Sequence, residues 1–246
     1  MLAKEHHITI IIPVFNEQSR IAKTLFDVKD FLGTQPYTSD IVIINDGSSD
    51  LTTEVVKVVD IYGEEIKSQP PTVIVNNVEN VGKGYSIAKG MLLAKGDIIV
   101  FTDADSSTPI TEITKLLNQI DEGFDMVVGS RNMDASIVKD RSALRSFSGK
   151  CFNFLASSLG LINISDSQCG FKAYRKELAL DLANRQKTHG FSFDVEHIFM
   201  ASKLGYSIKE VPVQWRHENG SSISLLSDSL SMFVDMVRIR WAHRKL

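Results

Sequence analysis

Five short runs of apolar, largely β-branched residues, separated by segments of helical periodicity, constrain this 246-residue chain more than any other feature. The runs are Ile8 to Val14, Ile41 to Ile44, Thr72 to Val75, Ile98 to Thr102 and Met126 to Gly129, all of strand length and strand composition. Helical spacing separates them. Ile21, Leu25, Val28 and Leu32 recur within Ser19 to Leu32, with Ser19 as N-cap, and Val55, Val56 and Val59 within Asp50 to Ile61. Ile87, Ala88, Met91 and Leu92 follow Gly84, and Ile113, Leu116, Leu117 and Ile120 form a fourth stripe. Parallel strands need long crossovers and helices supply them, so this alternation predicts an α/β fold with a mostly parallel sheet covered on both faces. A single domain over 1–246 is expected, less regular from about Asn132 onward.

Composition excludes several classes. With 43% hydrophobic residues, 15 Gly, 6 Pro and 2 Cys, the chain is not collagenous, disordered or a disulfide scaffold. A net charge of -3 gives no global basic field, and no nucleic-acid partner is expected. Cys151 and Cys169 suit a reducing compartment, and the start Met-Leu-Ala-Lys-Glu-His-His lacks an apolar signal core, so a cytoplasmic location is expected. No run of 18 apolar residues predicts a spanning helix. Two segments keep a membrane surface in view. Cys151 to Ser165 carries no charge and suits either an interface or a core. Leu225, Leu226, Leu230, Phe233, Val234, Val237 and Trp241 recur at helical spacing before Arg238, Arg240, Arg244 and Lys245 crowd the end. That pattern suits a basic amphipathic surface helix, or a packed helix with cations near its C-terminus.

In open α/β sheets, ligands sit beyond the carboxyl ends of the strands. Here those ends carry Pro13-Val14-Phe15-Asn16-Glu17, Asn45-Asp46-Gly47-Ser48-Ser49-Asp50, Asp103-Ala104-Asp105 and Ser130-Arg131-Asn132. The first turn lacks the Gly-x-Gly-x-x-Gly of dinucleotide enzymes, and Gly82-Lys83-Gly84 lacks the first glycine of a P-loop. Gly82 and Gly84 still stand between a strand and a helix, where Lys83 and backbone amides can meet an anion. Eighteen Asp in random order would give about one Asp-x-Asp pair, so the position of Asp103 and Asp105 after a buried strand carries the argument, not the spacing. Two carboxylates there suit Mg²⁺ or Mn²⁺, hard cations that complete their shells with water and phosphate oxygens.

Taken together with Asn80-Val81-Gly82-Lys83-Gly84 and Gly129-Ser130-Arg131, these segments resemble the family 2 glycosyltransferases of GT-A fold, from about residue 6 to 224. Arg141-Ser142, Asp166-Ser167-Gln168-Cys169-Gly170-Phe171-Lys172, Phe193-Asp194-Val195-Glu196 and Glu210-Val211-Pro212-Val213-Gln214-Trp215 look like the polyprenyl-phosphate sugar synthases, most of all the dolichyl-phosphate β-glucosyltransferases. The resemblance implies a nucleotide-sugar half over about 6–131, an acceptor half over 132–224 and the amphipathic helix over 225–246. Pro13, Asn16, Glu17, Lys83 and Asp103 would then line the donor site and Asp46 would bond the uracil edge. Asn45 departs from the family's Asp-Asp-Gly, which leaves that contact to Asp46 alone. Asp105, with Asp103, would hold the metal. Mannosyl relatives often have Gln where this chain has Ser107, which disfavours a mannose donor.

The reaction implied is inverting transfer of a hexose, glucose from UDP-glucose, to a polyprenyl phosphate by a membrane-peripheral enzyme on the cytoplasmic face. A membrane-protein partner or a homo-oligomer is also compatible. A phosphate monoester carries about 1.5 to 2 negative charges near neutral pH and needs cations more than a base. Arg131, Arg141, Arg145 and Lys172 supply candidates, since the guanidinium fork matches phosphate oxygens. A hydroxyl acceptor would need a base instead, with Asp194 and Glu196 as candidates. GDP-mannose as donor, a glycan hydroxyl as acceptor and a non-catalytic nucleotide-sugar-binding subunit stand as alternatives.

Overall fold

The computed structural model describes residues 6–64, 70–140, 143–218 and 227–246. Among the described residues, nine strands form a seven-stranded sheet and a two-stranded one. In chain order they are β1 (His7–Val14), β2 (Thr38–Asn45), β3 (Thr72–Asn76), β4 (Ile98–Thr102), β5 (Met126–Ser130), β6 (Ile137–Lys139), β7 (Phe171–Arg175), β8 (Ile208–Pro212) and β9 (Gln214–Arg216). The helices are α1 (Ile21–Gly33), α2 (Thr52–Glu64), α3 (Lys83–Leu93), α4 (Ile113–Asp121), α5 (Ala143–Ser158), α6 (Lys176–Arg185), α7 (Phe193–Lys203) and α8 (Ser227–Ala242).

The large sheet runs β3-β2-β1-β4-β7-β5-β8, and only β7 is antiparallel to its neighbours. The five strands expected from the apolar runs are all present, with ends within a few residues of those predicted. β7 escapes the apolar pattern because its sequence, Phe-Lys-Ala-Tyr-Arg, buries a lysine at its second position. Helix α1 starts later than expected. Ser19 is not its N-cap, because the amides of Arg20 and Ile21 both donate to the Glu17 carbonyl and close the turn with backbone alone.

Alternating side chains split the core into two layers. Ile8, Ile10 and Ile12 of β1 and Ile98 and Val100 of β4 pack with α1, α2 and α4 on one face. Ile11, Ile99 and Phe101 pack with α3, α6, α7 and α8 on the other. A fully buried Ile or Phe contributes about 1.5–3 kcal/mol relative to exposure, so these two layers fix the strand register and with it the position of every strand-end turn. The direction of strand order reverses between β1 and β4, which is where such sheets open a crevice beyond the strand ends. Phe15 to Glu17 and Asp103 to Asp105 both leave the sheet there.

Candidate active site

Two clefts open at that edge, each of about 360 Å³, and they share a wall made of Lys83, Asp103, Asp105 and Phe191. The first is otherwise lined by Pro13, Glu17, Asp46 and Gly82 among others. The second runs from Arg131, Asp194 and Trp215 to side chains of α5 and α8.

In the first cleft, side chains clamp backbone. Asp46 is buried at the end of β2, where its carboxylate accepts the Val81 amide at 3.0 Å, the Gly82 amide at 2.8 Å and Asn77 Nδ2 at 2.8 Å. The anion met by the amides of the glycine turn is therefore the protein's own Asp46. Gly82 sits at φ +115°, and a Cβ there would lie 2.4 Å from the His189 carbonyl oxygen. Asn45 turns away from the cleft, donating to Thr53 Oγ1 and Asn76 Oδ1 and accepting the Ser48 amide. Asn16, at φ +54°, accepts the Ser49 amide through Oδ1. Glu17 forms a two-pronged pair with Arg20, and burial still pushes its carboxyl above the usual range.

The shared wall concentrates charge. Lys83 Nζ donates to Asp103 Oδ1 at 2.5 Å and lies 5.1 Å from the centre of the Phe101 ring. Burial alone would lower the Lys83 ammonium, but Asp103, Asp194 and Asp105 together hold it above its usual value. The other face of Asp103 rests on Gly170, where a Cβ would lie 1.8 Å from Asp103 Oδ2. Only glycine admits the carboxylate at that place. Asp105 Oδ1 accepts the Ser107 amide at 2.9 Å. Burial first, and then the charge of Asp103, push the Asp105 carboxyl up. A half-buried carboxylate made costly by a second one is a place where a cation lowers the energy, so the donor set fits a hard divalent ion. Among the described residues no cluster of three or more His, Cys, Asp or Glu could hold an ion by itself, so substrate oxygens and water would complete its shell.

Two of the predicted phosphate-docking cations, Arg131 and Lys172, are each paired with a buried carboxylate. Arg131 commits its fork to Asp166, with Nε at 2.7 Å and Nη2 at 2.8 Å, and its own amide donates to the same carboxylate. Burial would raise the Asp166 carboxyl, yet Arg131 holds it below the usual range. Arg131 still lines the second cleft, 5.6 Å from the Trp215 ring centre. Lys172 does not dock an external phosphate. It is fully buried and donates to Asp194 Oδ1 and to the Cys169 carbonyl, both at 2.5 Å. The alternation along β7 explains this, because Lys172 shares the face of Tyr174, over which α7 begins with Asp194 in its first turn. Arg141 lies outside the described residues, as does the side chain of Arg145.

Of the two carboxylates considered as bases, Asp194 lines the second cleft, whereas Glu196 does not. Glu196 is fully buried and accepts the Lys187 and Thr188 amides, each at 2.8 Å, and His243 Nε2 at 2.6 Å. Burial would raise its carboxyl, but these donors hold it below the usual range. Its place is structural: it ties α8 to the 186–191 loop. That loop was missed from sequence, although Gly190 and Phe191 line the first cleft and Phe191 both. It follows α6 without any periodic or motif signal. Gly170, Asp166 and Trp215 stood inside quoted motifs, but nothing in the sequence says what each touches. His217, stacked 6.1 Å from Trp215, also lines the second cleft.

Fold and site together define an α/β protein that brings a carboxylate pair between two substrate-sized clefts. Residues 9–182 match the model of glycosyl transferase family 2, and the chain belongs to that family: it is a glycosyltransferase. It is 32% identical over 250 residues to the dolichyl-phosphate beta-glucosyltransferase of Dictyostelium discoideum, covering 96% of this chain and 75% of that protein. The enzyme of the same name from Saccharomyces cerevisiae is also 32% identical, over 256 residues, covering 98% of this chain and 76% of the other. Among solved structures, glucosyl-3-phosphoglycerate synthase from Mycobacterium tuberculosis, in complex with Mn²⁺, UDP and glucosyl-3-phosphoglycerate, superposes with a TM-score of 0.69 at 18% identity, covering 96% of this chain and 78% of that one. The fold is thus GT-A, as the motifs implied.

Proposed function

We propose that this glycosyltransferase moves glucose from UDP-glucose to the phosphate of a polyprenyl, dolichyl-type lipid, with inversion at the anomeric carbon. The observation that carries the reading is the shared wall: Lys83, Asp103 and Asp105 face both clefts, so donor and acceptor would meet over one carboxylate pair. The names of the relatives at 32% identity support glucose and dolichyl phosphate.

The chain's residues divide the work. Pro13, Glu17, Asp46 and the glycine turn shape the donor cleft, and Asp46 holds the turn closed. Asp105, with Asp103, would hold a divalent cation, which when bound neutralises a departing diphosphate. Lys83 fixes Asp103 and adds a positive charge on the donor side of the wall. On the acceptor side, an ionised phosphate is a competent nucleophile as it stands, so Asp194 need not serve as base. Arg131, locked by Asp166, would offer a positive charge in a fixed orientation, an electrostatic preorganisation that costs no rearrangement.

Contact with a membrane belongs to this reading. No helix among the described residues is long and apolar enough to cross a bilayer. Phe154 on α5, and Val237 and Trp241 on α8, are more than half exposed, and Arg238, Arg240, Arg244 and Lys245 accompany the latter two. Apolar side chains beside cations suit a surface carrying anionic lipids, on the cytoplasmic side. The decisive experiment incubates the protein with Mg²⁺ or Mn²⁺, a polyprenyl phosphate and a panel of labelled nucleotide sugars. UDP-glucose should give an acid-labile, lipid-extractable glucose. Transfer from GDP-mannose alone, or to a glycan hydroxyl alone, would overturn the reading.

A further inference from the structure

The core-facing stripe of α1 carries one residue out of pattern. Ile21, Leu25, Val28 and Leu32 are apolar, but Thr24 on the same face is buried as deeply, at 2% exposure. A buried hydroxyl needs a partner, and this one reaches out of its helix to find it. Its single proton goes to the Ala104 carbonyl at 2.6 Å, in preference to the Arg20 carbonyl one turn back at 3.5 Å, where a threonine inside a helix commonly bonds. Ser106 Oγ in turn donates to Thr24 Oγ1 at 2.9 Å. Ala104 packs into the core layer that includes α1, so Asp103 and Asp105 on either side of it face the clefts. Ser106 stands at φ +55°, a left-handed conformation that a residue with a Cβ keeps only when its surroundings impose it. Other bonds hold the turn elsewhere: Lys83 grips Asp103, and the Arg216 amide donates to the Ser107 carbonyl at 2.8 Å. Thr24 holds it from the core side.

We propose that Thr24 is a positioning residue for the cation site: its hydroxyl, together with that of Ser106, fixes the turn from which the Asp103 and Asp105 carboxylates project. One turn earlier on the same chain segment, Arg20 grips Glu17 on the wall of the first cleft. The start of α1 is thus a common frame for the donor cleft and the carboxylate pair. The inference rests on the reading that Asp105, with Asp103, holds a divalent ion, and adds the residue that keeps the pair in place without touching ion or substrate. Thr24 and Ser106 also line a third cavity, of about 380 Å³, beside α1. Water can therefore replace the lost donor when the hydroxyl is removed, so that the fold survives while the turn loses its fixed hold.

Two substitutions separate the hydroxyl from the packing. Thr24→Val keeps the buried methyl group and removes the bond, whereas Thr24→Ser keeps the bond and removes the methyl group. The probe is Mn²⁺ in the presence of UDP on the full-length protein, with the free ion counted by its EPR signal, so that binding is read without turnover. Thr24→Val should raise the Mn²⁺ dissociation constant about tenfold, the low end of the loss seen when a group supporting a metal ligand is removed, and should leave the KM for the acceptor unchanged. Thr24→Ser should bind Mn²⁺ as wild type does, although it loses core packing and melts earlier. A role in packing alone predicts the reverse order. Unchanged Mn²⁺ affinity in folded Thr24→Val, or an equal loss in Thr24→Ser, overturns the proposal. If circular dichroism shows Thr24→Val unfolded, Ser106→Gly carries the test: it removes the second hydroxyl where glycine adopts the required φ freely, and unchanged Mn²⁺ affinity there overturns the proposal as well. Asp105→Asn separates this inference from the reading beneath it. If that variant binds Mn²⁺ as wild type does, the cation reading falls and the role of Thr24 with it. If it loses the ion while Thr24→Val keeps it, only the role of Thr24 falls.

Discussion

On the donor side of the shared wall, charged and polar side chains hold nearby backbone: Asp46 takes the amides of Val81 and Gly82, and Asn16 takes that of Ser49. On the acceptor side they also hold one another. Arg131 pairs with Asp166, Lys172 with Asp194 and Glu196 with His243. The difference follows from topology. Donor residues leave parallel strands at one edge, where loop amides are unpaired and need acceptors. Acceptor residues come from an antiparallel strand, two helices and the connections between them, and meet inside the protein, where a lone charge is costly. A charge visible in the sequence is thus held by the protein on both sides, chiefly by backbone amides at Asp46 on the first and by opposite charges on the second.

The largest effect expected from breaking this contrast is at Asp105. Asp105→Asn keeps an oxygen for the Ser107 amide but removes the charge, and should cut glucosyl transfer by about 10³-fold. Thermal stability should not fall, because the native site disfavours the ionised form. A lower melting temperature would show that the carboxylate serves the fold. Next comes the acceptor-side pairing. Lys172→Met should destabilise by about 3 kcal/mol at neutral pH, leaving Asp194 buried without its partner. Part of that loss should return on mild acidification, as Asp194, already pushed up by burial, takes a proton. Urea unfolding at two pH values checks both signs.

A smaller effect is expected at Gly170. Gly170→Ala forces Asp103 off its seat, and should lower transfer about 10²-fold while the protein remains folded by circular dichroism. Full activity would mean that the position of Asp103 is not critical. The smallest is a pH effect at His197, whose buried ring is lowered to about 4 while Nε2 donates to Gln186 Oε1. A depressed folded value means that the unfolded chain binds the extra proton, so this group's contribution is intact above about 6.5 and is lost as pH falls toward 4. Between pH 6.5 and 5 it amounts to about 2 kcal/mol. His197→Phe should flatten that slope in urea titrations relative to wild type.

The legibility of the molecule follows the same divide. β1, β2, β4 and the turns after them were readable because apolar runs are local and the residues that follow a parallel strand arrive at the ligand edge by construction. Asp103 and Asp105 needed nothing more. Arg131 and Lys172 were equally visible as cations, but their partners lie 35 and 22 residues away, and no local pattern reports a pairing. The 186–191 loop gave no signal because its role depends on Glu196, which reaches it from α7 and is itself held by His243.

What the sequence determined by itself was the sheet, its carboxyl edge and the carboxylate pair upon it, since periodicity and strand-end position are properties of a few consecutive residues. The tertiary structure alone decided which charges remain open to a ligand, that Glu196 is a strut, and that α5 and α8 form an apolar wall beside an ionic one. Those are outcomes of burial, and burial is fixed only when distant segments pack.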